Sequence, residues 1–296
     1  MKIYNIVERR MIWYLLSLAL IVPGLISLMT QGLNLGIDFT GGSIFDLKFQ
    51  GQPAISEVRK AIDRVDLELG NPVIQETTPG EFLIRTRDLQ EAERDSFLSA
   101  LKQEIGDYEV LREEKVGPVI GKELTFKALL ALGVASILMI IYISFRFEFK
   151  SGIAAIIAIL HDVLVTLGIF SLLQLEISSA FVAAILTIIG YSINDTIVIF
   201  DRVRENLQNR KKSESVAYIM NKSIMQTLTR SINTVLTTLF VLFALFFFGG
   251  ATLSNFILAM IIGIISGVYS SIFTACPIWH DLKRIGMPAN PHEKPS

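Results

Sequence analysis

Gly190-Tyr191-Ser192-Ile193-Asn194-Asp195-Thr196 breaks into an apolar run, residues 179–200, long enough to cross a bilayer, and Asp201-Arg202-Val203-Arg204 follows at once. A carboxylate at such a depth costs at least roughly 2.5–3.5 kcal/mol on insertion scales, so residues of this kind pair, face water or carry ions. Five more stretches, residues 11–30, 125–145, 152–173, 225–248 and 253–275, reach the roughly 20 apolar residues that a hydrocarbon core of about 30 Å demands. Of the 296 residues, 51% are hydrophobic and only 19% charged. That balance points to a polytopic α-helical membrane protein with six transmembrane helices and away from a soluble enzyme.

Orientation follows from the short loops. Lys2, Arg9 and Arg10, then Arg146 and Lys150, then Arg202, Arg204, Arg210, Lys211, Lys212 and Lys222, then Lys283 and Arg284 fall on one side. The opposite turns, residues 173–178 and 248–254, hold no Lys or Arg. Both termini are therefore expected in the cytoplasm and the loop after the first helix outside. The N-terminal segment, residues 1–30, has a basic start like a signal peptide but a longer apolar run and no small-x-small cleavage site, so it reads as a retained anchor.

Residues 31–122 change character and read as a folded external domain. Residues 43–49 alternate like a half-buried strand; Ile55, Val58, Ala61, Ile62 and Val65 repeat at helical spacing; residues 73–77 and 82–86 flank the hairpin signal Thr78-Pro79-Gly80-Glu81. A second helix, residues 90–105, turns Phe97, Leu98, Leu101 and Ile105 inward, and residues 108–113 make a last strand. The order βαββαβ predicts an α+β ferredoxin-like sandwich between helices one and two. Gly36, Gly41, Gly42, Gly117 and Gly121, with Pro118, cluster where the chain enters and leaves this domain, as hinges or as ordinary tight turns. Residues 123–280 are expected to form the rest of the bundle with a cytoplasmic loop at 201–224, and residues 281–296 a disordered cytoplasmic tail with little apolar surface to bury.

Helical rise turns sequence separation into depth. Asp195, seven residues before Arg202, lies about 10 Å inside the boundary, and Arg230, eight after Lys222, about 12 Å. The two opposite charges match in depth on consecutive antiparallel helices, so a direct or water-bridged contact is available. His161 and Asp162 fall about 16–18 Å from Lys150, nearer the midplane. Ser192 and Asn194 beside Asp195, Asn233, Thr234 and Thr237 after Arg230, and Thr166 after Asp162 extend this layer. A buried salt bridge that fixes helix register is the plain reading of Asp195 and Arg230. Two carboxylates, an imidazole and a guanidinium exceed what pairing requires, and a carboxylate that changes partners as it gains or loses a proton is the basic part of a proton relay. Ala259, Gly263, Gly267 and Ser271, four apart, form a small-residue stripe that lets the last helix pack closely.

Other chemistries have no footing. There is no phosphate-binding loop, zinc-ligand spacing or nucleophile elbow; His161, His280 and His292 are too scattered for a metal site; no cofactor is implied. The one cysteine, Cys276, cannot form an internal disulfide. The formal net charge is −1, with no basic field to suggest nucleic acid.

Taken together, Leu35-Gly36-Ile37-Asp38-Phe39-Thr40-Gly41-Gly42, Val116-Gly117-Pro118-Val119-Ile120-Gly121, Leu160-His161-Asp162-Val163, the run from Gly190 to Asp195 and residues 199–206 resemble the SecD/SecF family, in its smaller and separate form, over nearly the whole sequence. That family in turn resembles the proton-driven resistance-nodulation-division transporters. The resemblance implies a subunit that assists the Sec translocon channel after its ATP-driven stage, drawing the unfolded preprotein outward across the plasma membrane at the expense of a proton or, in some members, a sodium gradient. SecD would supply the other six helices and an aspartate opposite Asp195 and Arg230. The rival readings are a proton-driven half-transporter for small hydrophobic molecules and a passive scaffold of the translocon.

Overall fold

A computed structural model describes residues 3–284 apart from 66, 71, 147, 212, 251 and 252. Lys2, Lys212 and residues 285–296 of the expected disordered tail lie outside the described residues, while its first four, 281–284, are helical as the end of Cys276–Arg284, where Asp281 pairs with Arg10. Among the described residues six helices are long and apolar enough to cross a membrane: Arg10–Thr30, Val119–Ile143, Phe149–Leu172, Ser179–Gln208, Val216–Phe248 and Ser254–Arg284. The chain is a multi-pass membrane protein. It forms two compact units, one of residues 35–131 and one of residues 1–34 with 132–296.

The smaller unit holds a four-stranded sheet of β1 (Gly42–Phe49), β2 (Val73–Thr78), β3 (Glu81–Thr86) and β4 (Tyr108–Val116) in the order β2-β3-β1-β4, antiparallel throughout. Strand alternation sends Phe45, Leu47 and Phe49 to one face, opposite Phe82 and Ile84 of β3. Two helices bury that face. From α3 (Ile55–Arg64) come Val58, Ala61 and Ile62, and from α4 (Glu91–Ile105) Phe97 and Leu101, all with 4% exposure or less. Each such large side chain contributes about 1.5–3 kcal/mol. Ile55 breaks the pattern, being exposed in the first turn of α3. The start of α4 is fixed by Glu93, whose carboxylate accepts the Gln90 N–H at 2.9 Å and pairs with Arg87. The Arg87 guanidinium first, and the Gln90 N–H next, hold that carboxyl down at about 2.

A short helix, α2 (Ile37–Thr40), leads into β1 through Gly41 and Gly42, whose φ angles are +74° and +138°. A Cβ on Gly42 would stand 2.5 Å from the Thr86 carbonyl oxygen. Replacing Gly42 with alanine is therefore expected to cost about 1–3 kcal/mol, seen as a lowered unfolding temperature of the whole chain in detergent. Gly51→Ala, with open space around the new methyl, is the control that should leave it unchanged.

The larger unit is built on α1 (Arg10–Thr30), α6 (Phe149–Leu172), α7 (Ser179–Gln208), α8 (Val216–Phe248) and α9 (Ser254–Ser270); α9 continues through a π-helical turn, Ser271–Ala275, into α10 (Cys276–Arg284). The preceding helix, α5 (Pro118–Arg146), begins seven residues before its apolar span. Helices α7 and α8 likewise outrun theirs, by eight and nine residues. Hydropathy marks only the lipid-soluble part, whereas Val203, Ile219 and Met220 bury the helical hairpin beyond it. Helices α1 and α6 meet backbone to backbone, since a Cβ on Gly24 would stand 2.6 Å from the Gly168 Cα. On α9, Gly263 and Gly267 of the small-residue stripe admit Ile188 and Ser192 of α7.

Candidate functional site

The acidic residues of the bundle sit in two different settings. Asp162, on α6, has no exposure at all. Its Oδ1 accepts Ser266 Oγ at 2.7 Å and lies 3.1 Å from His161 Nδ1; its Oδ2 accepts Ser192 Oγ at 2.6 Å and Ser270 Oγ at 2.8 Å. One carboxylate thus ties α6 to α7 and α9, with both oxygens doubly engaged. Beside it Ser271 and Thr196 share a hydroxyl contact of 2.7 Å. The His161 ring stacks on Tyr269 at 5.6 Å, and its Nε2 is buried without a hydrogen-bond partner among the described residues.

Asp195, three residues beyond Ser192 on α7, is 9% exposed and has one bonded oxygen. Ser231 of α8 donates to Oδ1 at 2.6 Å, while Oδ2 is buried with no partner among the described residues. Among the described residues Arg230 makes no ion pair with Asp195 within 4.0 Å; it is exposed, on the helix surface next to Ser231. Asn194, Asn233, Thr234 and Thr237 are exposed too, and Tyr191 spans α7 and α8 by bonding the Thr234 carbonyl and the Thr238 hydroxyl, each at 3.0 Å. The result is a polar stripe on outward faces of α7 and α8, at the level where the rest of both helices is apolar.

The structure therefore brings Asp162, His161 and Ser192 together in one buried cluster, and sets Arg230, Asn194, Asn233 and Thr234 outside it along the stripe. Asp195 stands between the two. Sequence reading missed Ser231, Ser266 and Ser270. The available signal was a second four-residue spacing, Ser266 to Ser270, one position before the glycine stripe. At the basic boundary, both carboxylate oxygens of Asp201 accept from Arg146 Nη2, at 2.8 and 3.0 Å, and Arg202 binds Gln226 and Glu205. Of the segments singled out as hinges, Gly41 and Gly42 hold left-handed angles, Gly36 is extended with φ −73°, and Gly117 directly precedes α5, which starts at Pro118.

Comparison with known proteins bears on what such a bundle does. The family described as protein export membrane protein SecD/SecF, C-terminal, matches residues 97–285, and the SecD/SecF GG motif matches residues 26–53, which include Gly41 and Gly42. The chain is 41% identical over 287 residues to the protein translocase subunit SecF of Sebaldella termitidis, covering 96% of this chain and 93% of the relative. It is 44% identical over 286 residues to the protein of the same name from Acidaminococcus fermentans, covering 94% and 97%. Among solved structures it is similar to SecDF of Thermus thermophilus, a translocon-associated membrane protein, with a TM-score of 0.88 and 36% identity. That match takes in 96% of this chain and only 39% of the longer solved one.

Proposed function

This chain belongs to the SecD/SecF family of protein export membrane proteins, and on that premise we propose that it is one half of an ion-driven machine that draws preproteins across the plasma membrane late in Sec-dependent export. As a Sec protein translocase subunit it would pair with SecD, which brings the other six helices, and act beside the translocon channel on the unfolded preprotein. The carrying observation is the buried Asp195 Oδ2, without a partner among the described residues, next to an exposed polar stripe inside an apolar span. Polar groups at that depth face a protein partner or a water-filled path rather than lipid. Arg230, Asn194 and Asn233 lie on the surface that SecD and its opposing aspartate would cover.

In this reading Asp195 gains and loses a proton from a path open alternately to either side, and Arg230 is its charge-switching partner. His161, Asp162, Ser192, Asn233 and Thr234 keep the surroundings polar. Residues 31–122, outside the membrane while both termini are cytoplasmic, respond by moving on Gly36, Gly41, Gly42, Gly117 and Pro118. Vesicles that carry the full translocase provide the test. A proton ionophore is expected to slow the post-ATP stage of export to the rate of vesicles lacking this chain, or a sodium ionophore to do so if sodium is the coupling ion. Export indifferent to both ionophores would leave only a scaffold.

A further inference from the structure

The residues before α1 are strapped to the bundle. Asn221 of α8 accepts the backbone N–H groups of Ile6 and Val7 at 3.1 and 3.0 Å and donates to Glu8 at 2.6 Å, while Trp13 Nε1 donates to the Ile6 carbonyl at 3.1 Å. This strap helps to line a groove of 510 Å³, within the range of about 300–1,000 Å³ usual for small-molecule sites. Its remaining lining is apolar and comes from three elements: Trp13 of α1, Met225 and Leu228 of α8, and Ile272 and Phe273 of the π-helical turn. Such turns recur at functional sites. The Trp13 and Phe273 rings pack against each other tilted by 40°, with centres 4.3 Å apart.

The lining has one charged residue, Arg9, which is exposed. Of its neighbours, Arg10 pairs with Asp281, while Glu8 keeps its charge and accepts a hydrogen bond from the neutral Asn221 amide. Among the described residues neither Arg9 nor Lys222, three positions before Met225, has a carboxylate within 4.0 Å. Arg9 immediately precedes the first apolar span, so the groove lies at the hydrocarbon boundary on the basic end of the bundle. An apolar slot that opens at that level beside an exposed guanidinium with no carboxylate within 4.0 Å among the described residues complements one kind of molecule: an acyl chain joined to an anion.

We propose that this groove holds one acyl chain of an anionic phospholipid, with the lipid phosphate on Arg9. The assignment rests on the chain's being a membrane protein and not on its coupling to an ion gradient, so either can fail without the other.

The chain has two tryptophans, and Trp279→Phe leaves Trp13 as the reporter. The full chain is placed in phosphatidylcholine nanodiscs containing a small fraction of lipid with brominated acyl chains, which quench indole on contact. Brominated phosphatidylglycerol should quench Trp13 at a mole fraction about five-fold below brominated phosphatidylcholine, the ratio equivalent to the roughly 1 kcal/mol that one arginine contributes near anionic headgroups. Arg9→Gln should erase that difference and Arg9→Lys keep it. Native mass spectrometry of the unaltered protein gives a second reading, with one retained phosphatidylglycerol that Arg9→Gln loses. Equal quenching by both lipids would mean ordinary bilayer lipid only. No quenching by either would mean that polypeptide covers the groove, and a preference that survives Arg9→Gln would place the phosphate elsewhere; each of the three overturns the proposal.

Discussion

Replacing Asp195 with asparagine is expected to bring gradient-stimulated export down to the rate measured with the gradient collapsed, while the chain still folds. Asparagine has nearly the shape of aspartate and keeps an oxygen that can accept the 2.6 Å bond from Ser231. The oxygen it replaces by an amide nitrogen is the one that already lacks a partner among the described residues. Packing is thus preserved and only the ability to change charge is removed. One elementary charge crossing 100 mV carries about 2.3 kcal/mol, so the bias lost per proton is up to about fifty-fold. Asp201→Asn supplies the contrast. That carboxylate is 40% exposed and bound to Arg146 at the membrane boundary, where such pairs contribute at most about 1 kcal/mol. Stimulation undiminished in Asp195→Asn, with protein levels matched, would sink the relay.

Much of the architecture was legible because period and composition change sharply along the chain. Apolar runs marked the six spans, and the switch from alternation of two to a helical period marked β1, α3, β2, β3, α4 and β4 to within a few residues. The site was legible by half. Asp195 stands out as a charge in an apolar run, but its contact does not. Depth arithmetic pairs it with Arg230, whereas the hydroxyl that reaches it belongs to Ser231. Rise along a helix fixes height and says nothing of direction, and neighbouring residues at 3.6 per turn point about 100° apart. The same blindness hid Ser266 and Ser270. Serine in an apolar helix is cheap and common, and only the crossing of α6, α7 and α9 shows that three of them converge on Asp162.

That convergence sets the second large effect. Asp162→Ala is expected to destabilise the bundle by about 3 kcal/mol in reversible unfolding in detergent or bicelles, and to abolish export as well. The side chain that vanishes is the acceptor for Ser192, Ser266 and Ser270, which are 2%, 7% and 0% exposed, and lies 3.1 Å from Nδ1 of His161, which is 4% exposed. A buried donor stripped of its partner costs about 1–3 kcal/mol, yet the four losses do not simply add. Serine hydroxyls in a helix can turn back to their own carbonyls, as Ser270 already does toward Gly267 at 3.1 Å, and hydrogen bonds between membrane helices average well under 1 kcal/mol net. What does not relax is the missing bond between helices: α6 loses its polar ties to α7 and α9 at one point, and Ser192 is one turn from Asp195. Ser192→Ala alone should cost about 0.6 kcal/mol, since Ser266, Ser270 and His161 remain on the carboxylate. The pair of phenotypes separates the two acidic residues. Asp195→Asn should lose export with stability intact, and Asp162→Ala should lose both; a stable Asp162→Ala protein would show that the carboxylate is no tie between helices.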